Sequence, residues 1–351
     1  MSTLFARPLA ALAFLLLALC LSAGAARAEL VWNPQTGWRV EGGALSGMSG
    51  PEARNALELM NKARAAEEQG GNISALRSYA KVTKKYPNSI YAAEAYYHTA
   101  KLRLARKQYY QAFDAFEQIL IRYPNTRRFS EIIGEQYRIA SALLDGARPR
   151  IMWGLLPGMR NRARAIEYFE SILAFAPYSD YAPLALMNVA RGHLKQRNTE
   201  EAIDALDRMI NSYPQSLLAP DAYLKLGQTH ALLVEGPYYD QGSTKQALTY
   251  FEDFMILFPN DSSIPTAAKG LDSMKQMLSE SKMKIGDFYF YKRSNFTAAR
   301  VFYNEAITAY PDSPVAKRAK QRLAEVEAKA AGKAAPADPT APARKKRFWL
   351  F

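Results

Sequence analysis

Apolar residues recur along this chain at helical spacing, and proline punctuates the recurrence. In Gln108–Asn125 the residues Ala112, Phe116, Ile119 and Leu120 share one stripe of a predicted helix that ends at Tyr123-Pro124. Proline ends it because the ring removes a backbone donor and clashes with the preceding turn. The arrangement returns five more times: Ala75, Tyr79 and Val82 before Pro87; Ala165, Phe169 and Ile172 before Pro177; Ala202, Leu206 and Met209 before Pro214; Ala247, Phe251 and Phe254 before Pro259; Ala299, Tyr303 and Ala306 before Pro311. In every copy the alanine stands 12 residues before the proline, the bulky residue 8 and the third residue 5. A partner helix precedes the later copies, at Ala92–Ala105, Ser130–Leu144, Tyr181–Lys195 and Asp221–Leu233. Their predicted inward residues are Tyr96 and Ala100, Tyr137 and Ala140, Leu186 and Ala190, and Tyr223, Leu226 and Gly227.

Pro87 to Pro124 is 37 residues, and so is Pro177 to Pro214. Helix pairs closed by proline at such an interval resemble the tetratricopeptide repeat, with about three residues added to its usual ~34. The fold class this implies is all-α, a tetratricopeptide-like helix-turn-helix solenoid of about five to six repeats over residues 52–329. A single pair cannot bury its apolar stripe, so neighbouring pairs bury it for one another. Three intervals are longer: Pro124 to Pro177 is 53 residues, 16 more than 37; Pro214 to Pro259 is 45, 8 more; and Pro259 to Pro311 is 52, with one long helix predicted over Pro265–Lys282. The first extra length falls in residues 146–164, GARPRIMWGLLPGMRNRAR, which carries five arginines and no acid around an apolar centre. The second, 233–244, reads as a loop turned by Gly236, Pro237 and Gly242. Phe288, Tyr289, Phe290 and Tyr291 are contiguous and cannot all face inward, and Ser313–Lys329 is predicted to be a capping helix.

The ends differ in character. Residues 1–28 read as a secretory signal peptide, with Arg7, an apolar run Leu9–Leu21 and the cleavage site Ala26-Arg27-Ala28. A lipoprotein signal would instead place acylation on Cys20, but Leu19 stands where that signal favours a small residue, so cleavage after Ala28 is the expectation. Residues 29–51, with Trp32 and Trp38, have no helical period and read as an extended arm docking on the first repeat. Residues 330–351 form an Ala/Pro/Lys tail expected to be disordered, ending in a basic cluster and Phe348, Trp349, Leu350 and Phe351.

Charge and composition narrow the chemistry. The formal charge is +13, or +11 once Arg7 and Arg27 leave with the signal peptide. A basic secreted chain meets anionic lipids or acidic proteins rather than nucleic acid. One cysteine excludes an internal disulfide, and the three histidines never fall at i, i+4 spacing. No Gly-rich phosphate loop, metal-spaced cluster or G-x-S-x-G motif occurs, so neither catalysis nor a cofactor is expected.

The stretch Ala231–Ser313 resembles the C-terminal half of the BamD family, tetratricopeptide subunits of the outer-membrane β-barrel assembly machinery. The resemblance rests on Asp240-Gln241 ahead of Ala247–Pro259, the long helix through Leu271–Leu278, Tyr289-Phe290, the turn Lys292–Phe296, Ala298-Ala299 and Tyr310-Pro311-Asp312-Ser313. Glu52–Asn125 resembles the family's first two repeats more generically, and the resemblance covers most of Glu52–Leu323. Two features depart from that family: the poor lipoprotein context of Cys20, and six proline-closed helices where five repeats are usual. The resemblance implies a non-catalytic scaffold on the periplasmic face of the outer membrane, binding the barrel-forming subunit, other assembly subunits and barrel precursors. The alternatives are a periplasmic repeat adaptor coordinating cell-wall synthesis with envelope constriction, and a protein that binds membrane or glycan surfaces through its basic segments.

Repeat geometry supplies candidate contact residues. The first helices of the pairs line a concave side, which nominates Tyr97, Lys101 and Leu104, then Met187, Arg191 and Leu194, with Tyr289 and Phe290 near the end. Docking to a membrane or partner is assigned to Arg148, Arg150, Trp153, Leu155, Arg160, Arg162 and Arg164, and to Phe348, Trp349 and Phe351.

Overall fold

A computed structural model describes residues 29–41, 50–239 and 241–332. Residues 1–28, expected to be a signal peptide and holding Cys20, and the terminal Phe348, Trp349 and Phe351 lie outside the described residues. The chain forms two compact units, Met1–Arg164 and Ala165–Phe351, which divide at the end of the Arg-rich insert.

The first unit opens with a departure from expectation. Residues 29–41 are not an extended arm but a hairpin, β1 (Glu29–Asn33) pairing antiparallel with β2 (Gly37–Glu41). Gly37 takes φ 76, a left-handed conformation that glycine adopts without a Cβ clash. Trp32 and Trp38 face each other across the strands with ring centroids 5.4 Å apart. The docking on the first repeat does occur: Trp38 is buried with Ala56, Met60 and Ala63, and its backbone N–H donates to Asn61 Oδ1 at 2.9 Å. Those three residues sit on α1 (Pro51–Glu68), followed by α2 (Asn72–Lys85), α3 (Ala92–Ala105), α4 (Tyr109–Arg122) and α5 (Phe129–Leu144). The insert then forms a second small hairpin, β3 (Arg150–Ile151) against β4 (Leu156–Pro157).

The second unit continues the helical order. It comprises the body of α6 (Arg162–Phe175), then α7 (Tyr181–Lys195), α8 (Thr199–Ser212), α9 (Ala219–Leu232) and α10 (Gly242–Leu257). A long α11 (Ile264–Asp287) runs directly into one π-helical turn, Phe288–Lys292, before α12 (Phe296–Ala309) and α13 (Pro314–Ala330). Ser313 caps α13, its hydroxyl accepting from the Ala316 N–H at 3.0 Å.

All eighteen residues of the six alanine–bulky–third sets are at most 2% exposed. The spacing of four and then three residues puts each set on one helix face. The alanines let backbones approach, and each large side chain contributes about 1.5–3 kcal/mol by leaving water. Phe251 shows how tight the approach becomes: a β-carbon on Gly227 of α9 would stand 2.7 Å from its ring.

The tyrosine ahead of the proline has a second part that its stop-signal reading did not show. Tyr123 donates its hydroxyl to the Pro87 carbonyl, and Tyr213 donates to the Pro177 carbonyl at 2.6 Å. Each phenol thereby ties its repeat to the end of the one before.

Candidate functional site

The α3 residues nominated for a binding face are largely engaged inside the first unit. Tyr97 is buried rather than presented, edge-on to Phe116 with centroids 6.0 Å apart. Its hydroxyl donates to Glu131, and the Arg128 guanidinium lies 4.4 Å above its ring. The helix is turned so that Tyr96, expected in the core, is half-buried against Tyr123 instead. Lys101 pairs with Glu135 at 2.8 Å, and Arg138 meets the same carboxylate at 2.6 Å. Glu135 is only 2% exposed, so the two cations neutralise a charge that would be costly to bury alone. Arg128 adds a fork to Glu94, with bonds of 3.2 and 3.0 Å. Leu104 is half-buried at the end of this face.

Beside this lattice is a charged histidine site that sequence spacing did not reveal. His98 lies 3.2 Å from Glu67 and 3.4 Å from Glu94. It stacks on Tyr79 at 5.2 Å and meets the Trp38 edge at 5.6 Å. Burial disfavours the imidazolium, but hydrogen bonds and attraction from Glu67 and Glu94 outweigh it and raise the histidine above its ordinary value. Burial likewise opposes charge on both glutamates, yet their cationic neighbours hold each below its ordinary value. Glu94 is four residues earlier on the same helix, but Glu67 comes from α1, and only the fold brings this second carboxylate to the ring.

On α7, Met187 and Leu194 are half-buried and Arg191 is exposed, spaced on one helix face as expected. The aromatic run resolves differently. Phe290 is not a surface residue: it is buried with Met283, Tyr303 and Val326. Tyr289 is half-buried and stacks on Phe302 at 5.5 Å. The π-helical turn directs Phe288 and Tyr291 outward instead, under Arg293 and Arg322, each 5.5 Å from the ring it covers. An open groove of about 980 Å³ lies between the turns that follow α6 and α8, lined by Tyr178, Pro183, Leu184, Tyr213, Leu217 and Leu218. The sequence signal for it is the repeated proline turn, which places Tyr178 and Leu217 in the open.

The insert is the most exposed apolar feature of the first unit. Ile151, Met152, Leu155, Leu156 and Met159 are all exposed, and so are Arg148, Arg150, Arg160, Arg162 and Arg164. Its base is fixed: the Arg150 N–H donates to the Lys107 carbonyl at 2.8 Å, and the Gly158 N–H to Pro149 at 2.6 Å. Among the described residues, no group of His, Cys, Asp and Glu could hold a metal ion, and no helix is long and apolar enough to cross a membrane.

The sequence model of a family described as YfiO, outer membrane lipoprotein, matches residues 159–339, just over half of the chain. The chain belongs to this family. The family match takes in the second unit's helices and begins at Met159, after the hairpin of the insert. A tetratricopeptide repeat model matches residues 59–89 and 94–126, the first two helix pairs, in accord with the repeat fold. Three curated relatives carry the name outer membrane protein assembly factor BamD. The chain is 28% identical to the one from Rickettsia prowazekii over 171 residues, 49% of this chain and 68% of that protein. It is 24% identical to the Xylella fastidiosa (strain Temecula1) protein over 164 residues, 44% of this chain and 56% of that one. The Caulobacter vibrioides protein is 26% identical over 129 residues, 37% of this chain and 42% of that one. The chain thus spans between two fifths and two thirds of the relatives' lengths.

Proposed function

We propose that the protein is a non-catalytic scaffold in the assembly of outer-membrane proteins, acting at the periplasmic face of the outer membrane. The observation that carries this reading is the family match over residues 159–339, reinforced by relatives named as assembly factors. The structure supports it with stacked helix pairs whose cores are closed and whose outer faces are rich in exposed side chains suited to holding other chains. Partners of the kind implied are the barrel-forming subunit, other assembly subunits and unfolded barrel precursors, with peripheral contact to an anionic membrane. The matched family lends no support to the cell-wall adaptor.

Export is proposed to end in cleavage after Ala28. Leu19 disfavours processing before Cys20, and Ala26-Arg27-Ala28 supplies the small residues that cleavage favours. One experiment tests both statements: crosslinking in intact envelopes, purification of the tagged chain, and mass spectrometry of its N-terminus and partners. Recovery of a barrel-forming outer-membrane protein is the expected result. Recovery of cell-wall synthases without any barrel subunit overturns the scaffold, and an acylated Cys20 overturns the cleavage site.

A further inference from the structure

The insert has an axial order that its sequence alone does not display. The register pairs Arg150 with Pro157 and Ile151 with Leu156, so the chain turns back between Met152 and Leu155. From base to tip one strand runs Arg148, Arg150, Ile151, Met152, and the other returns Leu155, Leu156, Met159, Arg160. Met159 is at the base, level with Arg148, whereas Ile151, Met152, Leu155 and Leu156 are beyond Arg150, at the end farther from the attachment to Lys107. Exposure is extreme there, 74% at Leu155 and 60% at Met152, although a hairpin this short could have folded its aliphatics against the neighbouring helices. The backbone bond from Arg150 to Lys107, with Lys107 itself at φ 56, holds the base, and at the turn Gly154 lies close to Arg106 and Gln108, while Ile151, Met152, Leu155 and Leu156 stay open to solvent.

The geometry points to a lipid-docking finger: residues 151–156 enter the interfacial zone of an anionic membrane while Arg148, Arg150, Arg160 and Arg162 contact its phosphates. Two properties favour lipid over a protein groove. The charge is of one sign throughout, five arginines and no carboxylate between Gly146 and Arg164, which complements a phosphate surface. The apolar depth also fits. Beyond Arg150 the strand residue Ile151 adds ~3.3 Å and the 3-10 turn that begins at Met152 adds about 2 Å per residue, a depth comparable with the ~5–10 Å to which interfacial elements sink. The arginine stems can then lie along the apolar boundary with their guanidinium groups in the headgroups. The hairpin Arg150–Pro157 precedes the family-matched range, although Arg160 and Arg162 fall within it, and lipid docking stands or falls separately from the assembly reading.

An environment-sensitive fluorophore tests it at the site. The full chain, with Cys20→Ser, is labelled at Leu155→Cys and mixed with vesicles of phosphatidylcholine and phosphatidylglycerol at 3:1, or of phosphatidylcholine alone. The expected result is a blue shift, and quenching by bromine-labelled acyl chains, with the anionic vesicles only. Replacing Arg148, Arg150, Arg160 and Arg162 by glutamine weakens the vesicle affinity read at the probe by about five-fold per arginine. A control label at Tyr178→Cys, an exposed turn outside the insert, keeps its aqueous emission. Because the probe reports its own surroundings, binding through the N-terminal apolar run or the C-terminal tail does not imitate the result. Aqueous emission at position 155 with both vesicles overturns the inference, as does an equal shift at both label positions. A shift seen only with detergent-solubilised envelope proteins assigns the face to a protein groove and overturns it equally.

Discussion

Phe251 and Gly270 are in such close contact that a β-carbon on the glycine would stand 2.5 Å from the ring. With Gly227 on the other flank, the ring of α10 is gripped between α9 and α11 by two residues that have no side chain. Gly270→Ala is expected to destabilise the protein. Overpacking costs about 1–3 kcal/mol, against a gain of ~1 kcal/mol from alanine's better helix propensity. Urea unfolding followed by circular dichroism checks this, and Phe251→Leu in the same chain should recover part of the loss. An unchanged or higher midpoint for Gly270→Ala alone would show that the ring moves aside freely.

The phenol–carbonyl bonds between repeats predict a graded pair of effects. Tyr123→Phe and Tyr213→Phe each remove one hydrogen bond, worth about 0.5–1.5 kcal/mol. The Tyr213 bond is exposed to water and the Tyr123 bond is partly buried, so Tyr123→Phe should cost more than Tyr213→Phe. Amide exchange at the turns Pro87–Ser89 and Pro177–Ser179 reads the local loosening. Equal exchange in wild type and variant would remove the bond from the account of repeat coupling.

The π-helical turn predicts opposite outcomes for two adjacent phenylalanines. Phe290→Ala opens a cavity in the terminal core and is expected to cost about 3–5 kcal/mol. Phe288→Ala removes an exposed ring and its contact with Arg293, and should cost under about 1 kcal/mol. Thermal melts of both variants decide it, and similar losses would contradict the inside–outside assignment.

Stability of the first unit should depend on pH through His98. The groups facing it are Glu67 on α1, Tyr79 on α2, Glu94 and Tyr97 on its own helix, and Trp38 on β2, with Arg64 and Arg128 behind the glutamates. Its folded pKa is raised from 6.5, so its contribution is complete below 6.5 and fades as pH rises through the folded value. Glu67 and Glu94 are lowered from 4.5, so theirs is complete above 4.5 and fades as pH falls through their folded values. Wild type should therefore lose more stability than His98→Gln between pH 6 and 8, measured as Tm in matched buffers. Parallel Tm curves would exclude the histidine from the pH response.

The repeat core was legible because its signal is local: four and three residues of spacing, then a proline, written six times. What escaped was set by neighbours. Tyr96 and Tyr97 are adjacent, and which of them faces Phe116 depends on helix rotation within the stack rather than on composition. Phe290 was taken for surface because four contiguous aromatics leave the facing undetermined until one π-helical turn chooses. The N-terminal hairpin hid in strands of five residues, too short for an alternation to stand out, although Asn33–Gly37 carried turn residues. The insert's mixture of arginine and aliphatics was evident, whereas its ordering from base to tip required the register. The ion pairs of Glu135 and His98 join helices across the stack, beyond the reach of any local window.

The phenol that reaches back one repeat acts as a ruler on chain length. The hydroxyl of Tyr123 or Tyr213 meets its acceptor only if 36 residues separate it from the earlier proline. Extra length has entered where that measure is not taken. Ala176 and Phe258 occupy the equivalent position in two of the three lengthened repeats and have no hydroxyl, while in the third, Pro259 to Pro311, the phenol of Tyr310 turns to Asp272. Length change is thus channelled into the repeats that lack this bond, and the finger, the 233–244 loop and the long α11 are where the stack has grown.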